Sequence, residues 1–180
     1  VFATGASPRL LSMPNADAKN LFYLRKISDV IDIHAELDSA KNIVLIGGGY
    51  IGLEVASAMV DLGLKVTIIE AEDRILKRVT SPELSTFYQS THEAKGVKII
   101  CNAKVNGLLA ENHIINSIEL ESGEKIPAEA VLAGIGAIPN TQLAEQAGLD
   151  CNNGITTDQY CRTSNPYVLA AGDCTNSFNA

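Results

Sequence analysis

Four apolar residues, Ile43-Val44-Leu45-Ile46, run without a break into Gly47-Gly48-Gly49-Tyr50-Ile51-Gly52. Nothing else in the chain narrows the fold as far. Three of the four are β-branched, and such a run reads as a strand buried on both faces, as strands of parallel sheets are. After Gly52 the spacing turns helical, with Val55, Met59 and Leu62 on one stripe and Gly63 as the stop. Between strand and helix, Gly47, Gly49 and Gly52 spell G-x-G-x-x-G. The first glycine permits a tight turn, the second lets backbone approach a pyrophosphate, and the third lets helix and strand pack closely. The helix start would then turn free N–H groups and its positive dipole end toward the phosphates.

The motif alone is weak, and its context carries the argument. Lys65-Val66-Thr67-Ile68-Ile69 is a second apolar run, and it ends in Glu70, about 20 residues on. A carboxylate at that strand tip can take both hydroxyls of an adenosine ribose. The competing reading is a glycine-rich turn in an ordinary α/β protein, with Glu70 a solvated strand end. Strand, loop, helix, strand and acid all fall in order, which favours the dinucleotide. Ala71, Glu72 and Asp73 add no positive charge before Arg74, so NADH is expected over NADPH.

The chain's 180 residues suffice for a sizeable core. With 46% hydrophobic and 19% charged residues, the composition is that of a globular protein. No apolar run has the length of a membrane span. A net charge of −7 argues against nucleic acid or an anionic membrane as the main partner. Cys101, Cys151, Cys161 and Cys174 stand far apart, so neither a C-x-x-C redox pair nor a zinc knuckle is expected. No signal-peptide pattern is seen, and a cytoplasmic location is expected. Val1-Phe2-Ala3-Thr4-Gly5 reads as the end of a buried strand, and Val168 to Thr175 as a strand running into a turn. Both ends are therefore expected to be cut from a larger protein.

The remaining segments complete an α/β pattern. Ala3-Thr4-Gly5 is a turn, followed by Ser7-Pro8-Arg9 and a polar loop to Asn20, and Leu21 to Leu24 is an apolar patch. Ile27 to Leu37 has helical spacing at Ile27, Val30, Ile31 and Leu37, with Ser28 or Asp29 as cap, and Asp38 to Lys41 is a linker. Thr80 and Glu83 are spaced as a capping box, with Pro82 in the first turn and Leu84, Phe87, Tyr88 and Thr91 as the apolar stripe. Val97 to Cys101 is a third strand, completing β-α-β-α-β. Val105 to Ala110, His113 to Leu120 and Glu124 to Ile126 alternate with period two, as an antiparallel meander does. Ala130 to Ala133 should rejoin the parallel sheet. Gly134 to Asn140 reads as a flexible loop, with Asn140 as cap of a short helix from Thr141 to Ala147. Gly154 to Asp158 and Val168 to Ala171 read as further strands.

These motifs together resemble the flavin-dependent ferredoxin, rubredoxin and putidaredoxin reductases, within the pyridine nucleotide-disulfide oxidoreductases. The resemblance rests on Ala3-Thr4-Gly5 with Pro8-Arg9, on Gly47 to Glu54, and on Glu70 with Arg74 and Arg78. Gly134-Ile135-Gly136 with Pro139-Asn140, and Ala171-Gly172-Asp173, complete it. It implies a Rossmann-like doubly wound parallel sheet with an antiparallel meander, flanked by parts of a split FAD-binding domain. The implied division is FAD-domain segments at 1–38 and 156–180, with an NAD(H)-binding domain at 39–155.

In NAD binding, the resemblance implies roles for Gly47, Gly48, Gly49, Tyr50, Ile51 and Gly52 at the pyrophosphate and for Glu70 at the ribose. Arg78 would lie near the adenosine end. Gly134, Ile135 and Gly136 would line the nicotinamide side, and Glu54 would reach toward nicotinamide and flavin. Thr4, Gly5, Gly172 and Asp173 would touch FAD. His34, His92 and His113 are scattered and are read as structural. The implied reaction is hydride transfer from NADH to flavin, then electron transfer to an iron–sulfur or rubredoxin-type acceptor; no residue of this chain need be catalytic. No metal site is expected.

Two departures stand out: the family's first G-x-G-x-x-G, which grips FAD, and its C-terminal interface domain are not in this sequence. The chain alone is therefore expected to be inactive, with end segments that associate with each other or with another copy. An NADH oxidase, peroxidase or disulfide reductase of the same superfamily is the second enzymatic reading, which upstream cysteines would distinguish. A cofactor-binding scaffold resembling apoptosis-inducing flavoproteins is the reading from another class; it would call for basic surface, against which the charge of −7 counts.

Overall fold

A computed structural model describes residues 1–37 and 40–177. In chain order the first elements are β1 (Ala6–Pro8), β2 (Leu21–Phe22), α1 (Ile27–Leu37), β3 (Asn42–Ile46) and α2 (Tyr50–Asp61). Then come β4 (Lys65–Ile69), α3 (Pro82–Ala94), β5 (Lys98–Ile100), β6 (Val105–Glu111), β7 (Ile114–Leu120) and β8 (Lys125–Pro127). The last are β9 (Ala130–Ala133), β10 (Ala137–Pro139), α4 (Gln142–Gln146), β11 (Ile155–Thr157) and β12 (Thr175–Ser177). They form two compact units, one of Leu10–Ile135 and one of Val1–Arg9 with Gly136–Ala180. The expected linker and domain boundary at Asp38 and Ser39 lie outside the described residues. No helix among the described residues is long and apolar enough to cross a membrane.

The larger unit is built on a five-stranded parallel sheet in the order β2-β9-β3-β4-β5. Alternation along β3 explains its unbroken apolar run. Ile43 and Leu45 face a cluster containing Leu53, Ala56 and Met59 of α2. Val44 and Ile46 face the opposite cluster, which contains Leu108, Ile115, Ile118 and Ile126 of the meander β6-β7-β8. Both faces of the sheet are thus covered, one by helix and one by antiparallel strands. Asn20, 1% exposed, ties the meander to the sheet edge. Its amide donates to the Ile115 and Glu129 carbonyls and accepts from the Ile115 N–H, all at 2.8 Å.

Three helix expectations are corrected. α1 turns Ile27, Val30 and Ile31 outward, with Ile27 82% exposed, and buries Ile33 instead. Asp29 does act at its start: the carboxylate accepts the Lys26 and Arg25 N–H groups at 2.7 and 2.8 Å. In α2 the buried stripe is Leu53, Ala56 and Met59, while Leu62 caps the helix end and is exposed. α3 starts at Ser81, whose hydroxyl accepts the Leu84 N–H at 3.5 Å; Thr80 instead donates to the Leu76 carbonyl. Its expected core stripe is also inverted, since Leu84, Phe87, Tyr88 and Thr91 are exposed and Ser85 is the buried residue. The reason is polar: the Ser85 hydroxyl donates to the Ile75 carbonyl at 2.7 Å and accepts from Arg74, which turns that face inward.

In the smaller unit, the stretch read as a flexible loop contains β10, which pairs antiparallel with β1 in the register Ala6↔Pro139 to Pro8↔Ala137. Two three-residue strands so far apart in sequence carry no periodicity. Asn140 caps no helix. Its side chain donates to the Thr4 carbonyl at 2.9 Å and accepts from the Ser7 hydroxyl at 2.8 Å, bracing this pair. α4 starts at Thr141 with no side-chain cap. β11 and β12 pair in parallel, whereas the expected strands at Val1-Phe2 and Val168 to Ala171 contribute only single bridges, Phe2 to Ala170 and Leu169 to Arg162. A core of Ala144, Leu149, Ile155, Ala170 and Cys174 holds the unit.

Candidate functional site

The glycines of the loop after β3 sit in different surroundings, and packing within the protein accounts for three of the four. Gly47 sits at φ +109°, and a Cβ there would lie 2.5 Å from the Gly134 carbonyl oxygen, where the ends of β3 and β9 converge. A Cβ on Gly48 would lie 2.8 Å from Ile75 Cγ2, and one on Gly52 only 2.2 Å from the Gly47 carbonyl oxygen. Gly49 differs: no atom lies within 4 Å of its Cβ position, and its φ of −81° is open to any residue. No internal packing accounts for the third glycine of the cluster. Gly49 is also the N-cap of α2, with no side-chain capping bond and no acid in the first turn. The first-turn N–H groups of Tyr50, Ile51 and Gly52 have no partner within the helix, so this end suits an anion.

Glu70, just past β4, is held against this loop. One carboxylate oxygen accepts the Gly48 N–H at 2.6 Å and the other accepts the Glu72 N–H at 2.8 Å. An ionised carboxylate offers about four acceptor positions, so two remain for a pair of hydroxyl donors. The chain then folds back over the loop, and the Leu76 N–H donates to the Gly48 carbonyl at 2.9 Å. Ile75 and Leu76 are buried. The sequence reading missed their part in shaping the site, although an apolar pair inside a charged loop was a usable signal. The left-handed φ of 54° at Leu76 was not legible.

Arg74 holds this return. Its guanidinium donates to the Thr80 carbonyl at 3.1 Å, the Lys77 carbonyl at 3.0 Å and the Ser85 hydroxyl at 2.5 Å. Beyond it stands an ion-pair cluster. Lys77 Nζ is 2.9 Å from Glu72 and 3.2 Å from Asp73, and Arg78 is 3.8 Å from Glu72. The hydrogen bond and charge of Lys77 hold the Glu72 carboxyl below its usual range, and Glu72 and Asp73 raise the Lys77 ammonium above its own. Half-buried Cys101, at the end of β5, has its thiol pushed up by burial and then by the charge of Glu70, which keeps it protonated and unreactive near neutral pH.

In the larger unit the structure thus gathers Gly47 to Gly52, Glu70 and Gly134 at the C-terminal ends of β3, β4 and β9. Glu54 is exposed one turn into α2, and Ile135 is half-buried beside the meander-side core. Arg78 is 83% exposed and pairs with Glu72. Gly136 belongs to the smaller unit, where its carbonyl accepts the Arg9 N–H at 2.9 Å. There Thr4 donates its hydroxyl to the Asn140 carbonyl at 2.6 Å. Gly5 and Gly172 adopt φ of 68° and 83°, and Asp173 is exposed.

A strand C-terminal edge carrying a glycine loop, an uncapped helix start and an oriented carboxylate is the arrangement in which α/β sheets bind ligands. The pyridine nucleotide-disulphide oxidoreductase family matches this sequence over residues 1–180. The chain belongs to that family. Among its relatives, a rubredoxin-NAD(+) reductase of Pseudomonas putida is 41% identical over 97% of this chain and 45% of its own length. A ferredoxin reductase for the CYP199A2 system of Rhodopseudomonas palustris superposes with a TM-score of 0.94 at 34% identity, over 97% of this chain and 43% of that one. The putidaredoxin reductase of a covalent putidaredoxin reductase–putidaredoxin complex gives 0.93 at 38% identity, over 98% and 44%. The chain thus spans less than half the length of these relatives.

Proposed function

We propose that this chain is the NADH-binding portion of an FAD-dependent NADH:ferredoxin or rubredoxin-type reductase. The observation that carries the reading is the empty space over Gly49, flanked by the uncapped start of α2 and by the oriented Glu70. A side chain at Gly49 would fill space that nothing in the protein uses, which is the space a pyrophosphate needs. The N–H groups of Tyr50, Ile51 and Gly52 would hold the phosphates, and Glu70 the adenosine ribose. Glu54, Gly134 and Ile135 would border the nicotinamide. Residues 39–155 would form this domain, and Thr4, Gly5, Gly172 and Asp173 would contribute to an FAD site completed by further chain. Gly172 fits a close approach, since nothing lies within 4 Å of its Cβ position.

A bound flavin would supply the hydride-accepting and electron-relaying chemistry, with an iron–sulfur protein as acceptor. The residues of this chain bind and orient the nucleotide. The four cysteines are free, in keeping with a reducing cytoplasm.

The test is a titration of the purified chain, with its absorbance recorded first. NADH should bind at least about tenfold more tightly than NADPH, the size of effect expected when a 2′-phosphate meets the charged hydrogen-bond acceptor Glu70. The protein should be colourless between about 350 and 500 nm, where an oxidised flavin cofactor absorbs, because it holds a single G-x-G-x-x-G. Equal affinities would refute the assignment of Glu70. A stoichiometric flavin spectrum would refute the placement of the FAD site.

A further inference from the structure

We infer that Glu72 is a second specificity-determining residue for the nucleotide, acting by neutralising Lys77 and Arg78 beside the Glu70 site. The inference rests on the NADH reading above and concerns what disfavours a 2′-phosphate there. Glu72 is fixed at that spot through its backbone. Its N–H donates to the Glu70 carboxylate at 2.8 Å, and its carbonyl accepts the Asn102 N–H at 2.8 Å. Its side chain then meets both cations, Lys77 at 2.9 Å and Arg78 at 3.8 Å, while Asp73 takes the other side of Lys77 at 3.2 Å. Lys77 cannot drift away as a unit, because its carbonyl is held by Arg74 at 3.0 Å.

The charges in this segment balance: the carboxylates of Glu70, Glu72 and Asp73 against the cations of Arg74, Lys77 and Arg78. Arg74 is spent on the backbone carbonyls and Ser85. Lys77 and Arg78 are the solvent-exposed cations of this segment, and Glu72 engages both. Two basic residues beside the acid of the second strand would, left unpaired, attract the extra phosphate of NADPH. Paired, they contribute little. Glu72 thus reinforces a preference that Glu70 sets by direct contact. Among the described residues, the partners of its side-chain carboxylate are Lys77 and Arg78, and it lies outside the hydrophobic clusters.

Competition titrations of NADPH against NADH on the full 180-residue chain test this, using wild type, Glu72→Gln, Lys77→Gln and the triple variant E72Q/K77Q/R78Q. Glu72→Gln should raise the ratio of NADPH to NADH affinity about fivefold, the scale of surface ion pairs. That gain should shrink as salt is raised. Lys77→Gln should lower the ratio, and the triple variant should lack the gain. An unchanged ratio in Glu72→Gln would overturn the inference, as would an equal gain in the triple variant, which would mean that Glu72 acts by simple repulsion. In either case, tight NADH binding by wild type would leave the NADH reading standing. No NADH binding by wild type would overturn that reading, and this inference with it.

Discussion

Gly49→Val is expected to reduce NADH affinity at least about a hundredfold while the protein stays folded. The two halves of that result have separate causes. Folding should survive because the Cβ position is open to 4 Å and the backbone, at φ −81° and ψ −176°, is one that valine adopts freely. The cost to the helix is only the loss of a favoured N-cap residue, about 1 kcal/mol or less. Binding should fail because the side chain would occupy the space over the first turn of α2, where phosphate oxygens would meet the free N–H groups. A hundredfold loss corresponds to about 2.7 kcal/mol, the worth of one or two hydrogen bonds to a charged group. Calorimetric titration paired with a thermal melt measures both. Unchanged NADH affinity in a well-folded variant would show that the loop is only a turn.

Gly47→Ala, two residues earlier, should instead damage the fold. It places a methyl 2.5 Å from a backbone oxygen of Gly134 and demands φ +109° of a residue with a side chain. Neither neighbour is the end of a flexible side chain, so the strands themselves must part. Backbone strain costs about 1–3 kcal/mol and overpacking a similar amount, which together suggest a loss of about 3 kcal/mol. For a chain of this size that is a fall in Tm of about 10 °C. A melt within about 2 °C of wild type would show that β3 and β9 do not converge as described. The pair of variants separates a glycine kept for packing from one kept for a ligand.

The β3–loop–α2–β4 unit was legible because several levels of signal agree there. The apolar run, the glycine spacing and the terminal acid all describe one piece of local structure, although the buried face of α2 is Leu53, Ala56 and Met59 and leaves Leu62 exposed. The meander was legible for the same reason. The directions of α1 and α3 were not. A spacing of three and four residues says which side chains share a face, but not which way the face turns. In α3 the hydrogen bonds of Ser85 to Ile75 and Arg74 outweigh the apolar stripe of Leu84, Phe87 and Tyr88. The pairing of β1 with β10 joins segments far apart in sequence, and it is braced by Asn140, which by itself reads as a helix cap. The candidate site was legible in its glycines and its acid. The return of Ile75 and Leu76 onto Gly48, and the cage of Glu72, Lys77 and Arg78, depend on a loop whose course no local rule dictates.

The central claim is that NADH sits on the loop between β3 and α2 with its ribose at Glu70. Amide chemical-shift mapping during an NADH titration tests it most directly. The account predicts saturable shifts concentrated at Gly47, Gly48, Gly49, Tyr50, Ile51 and Gly52 and at the Glu72 N–H that bonds to Glu70. Saturable binding with those amides unmoved and the shifts confined to residues 136–177 would contradict it.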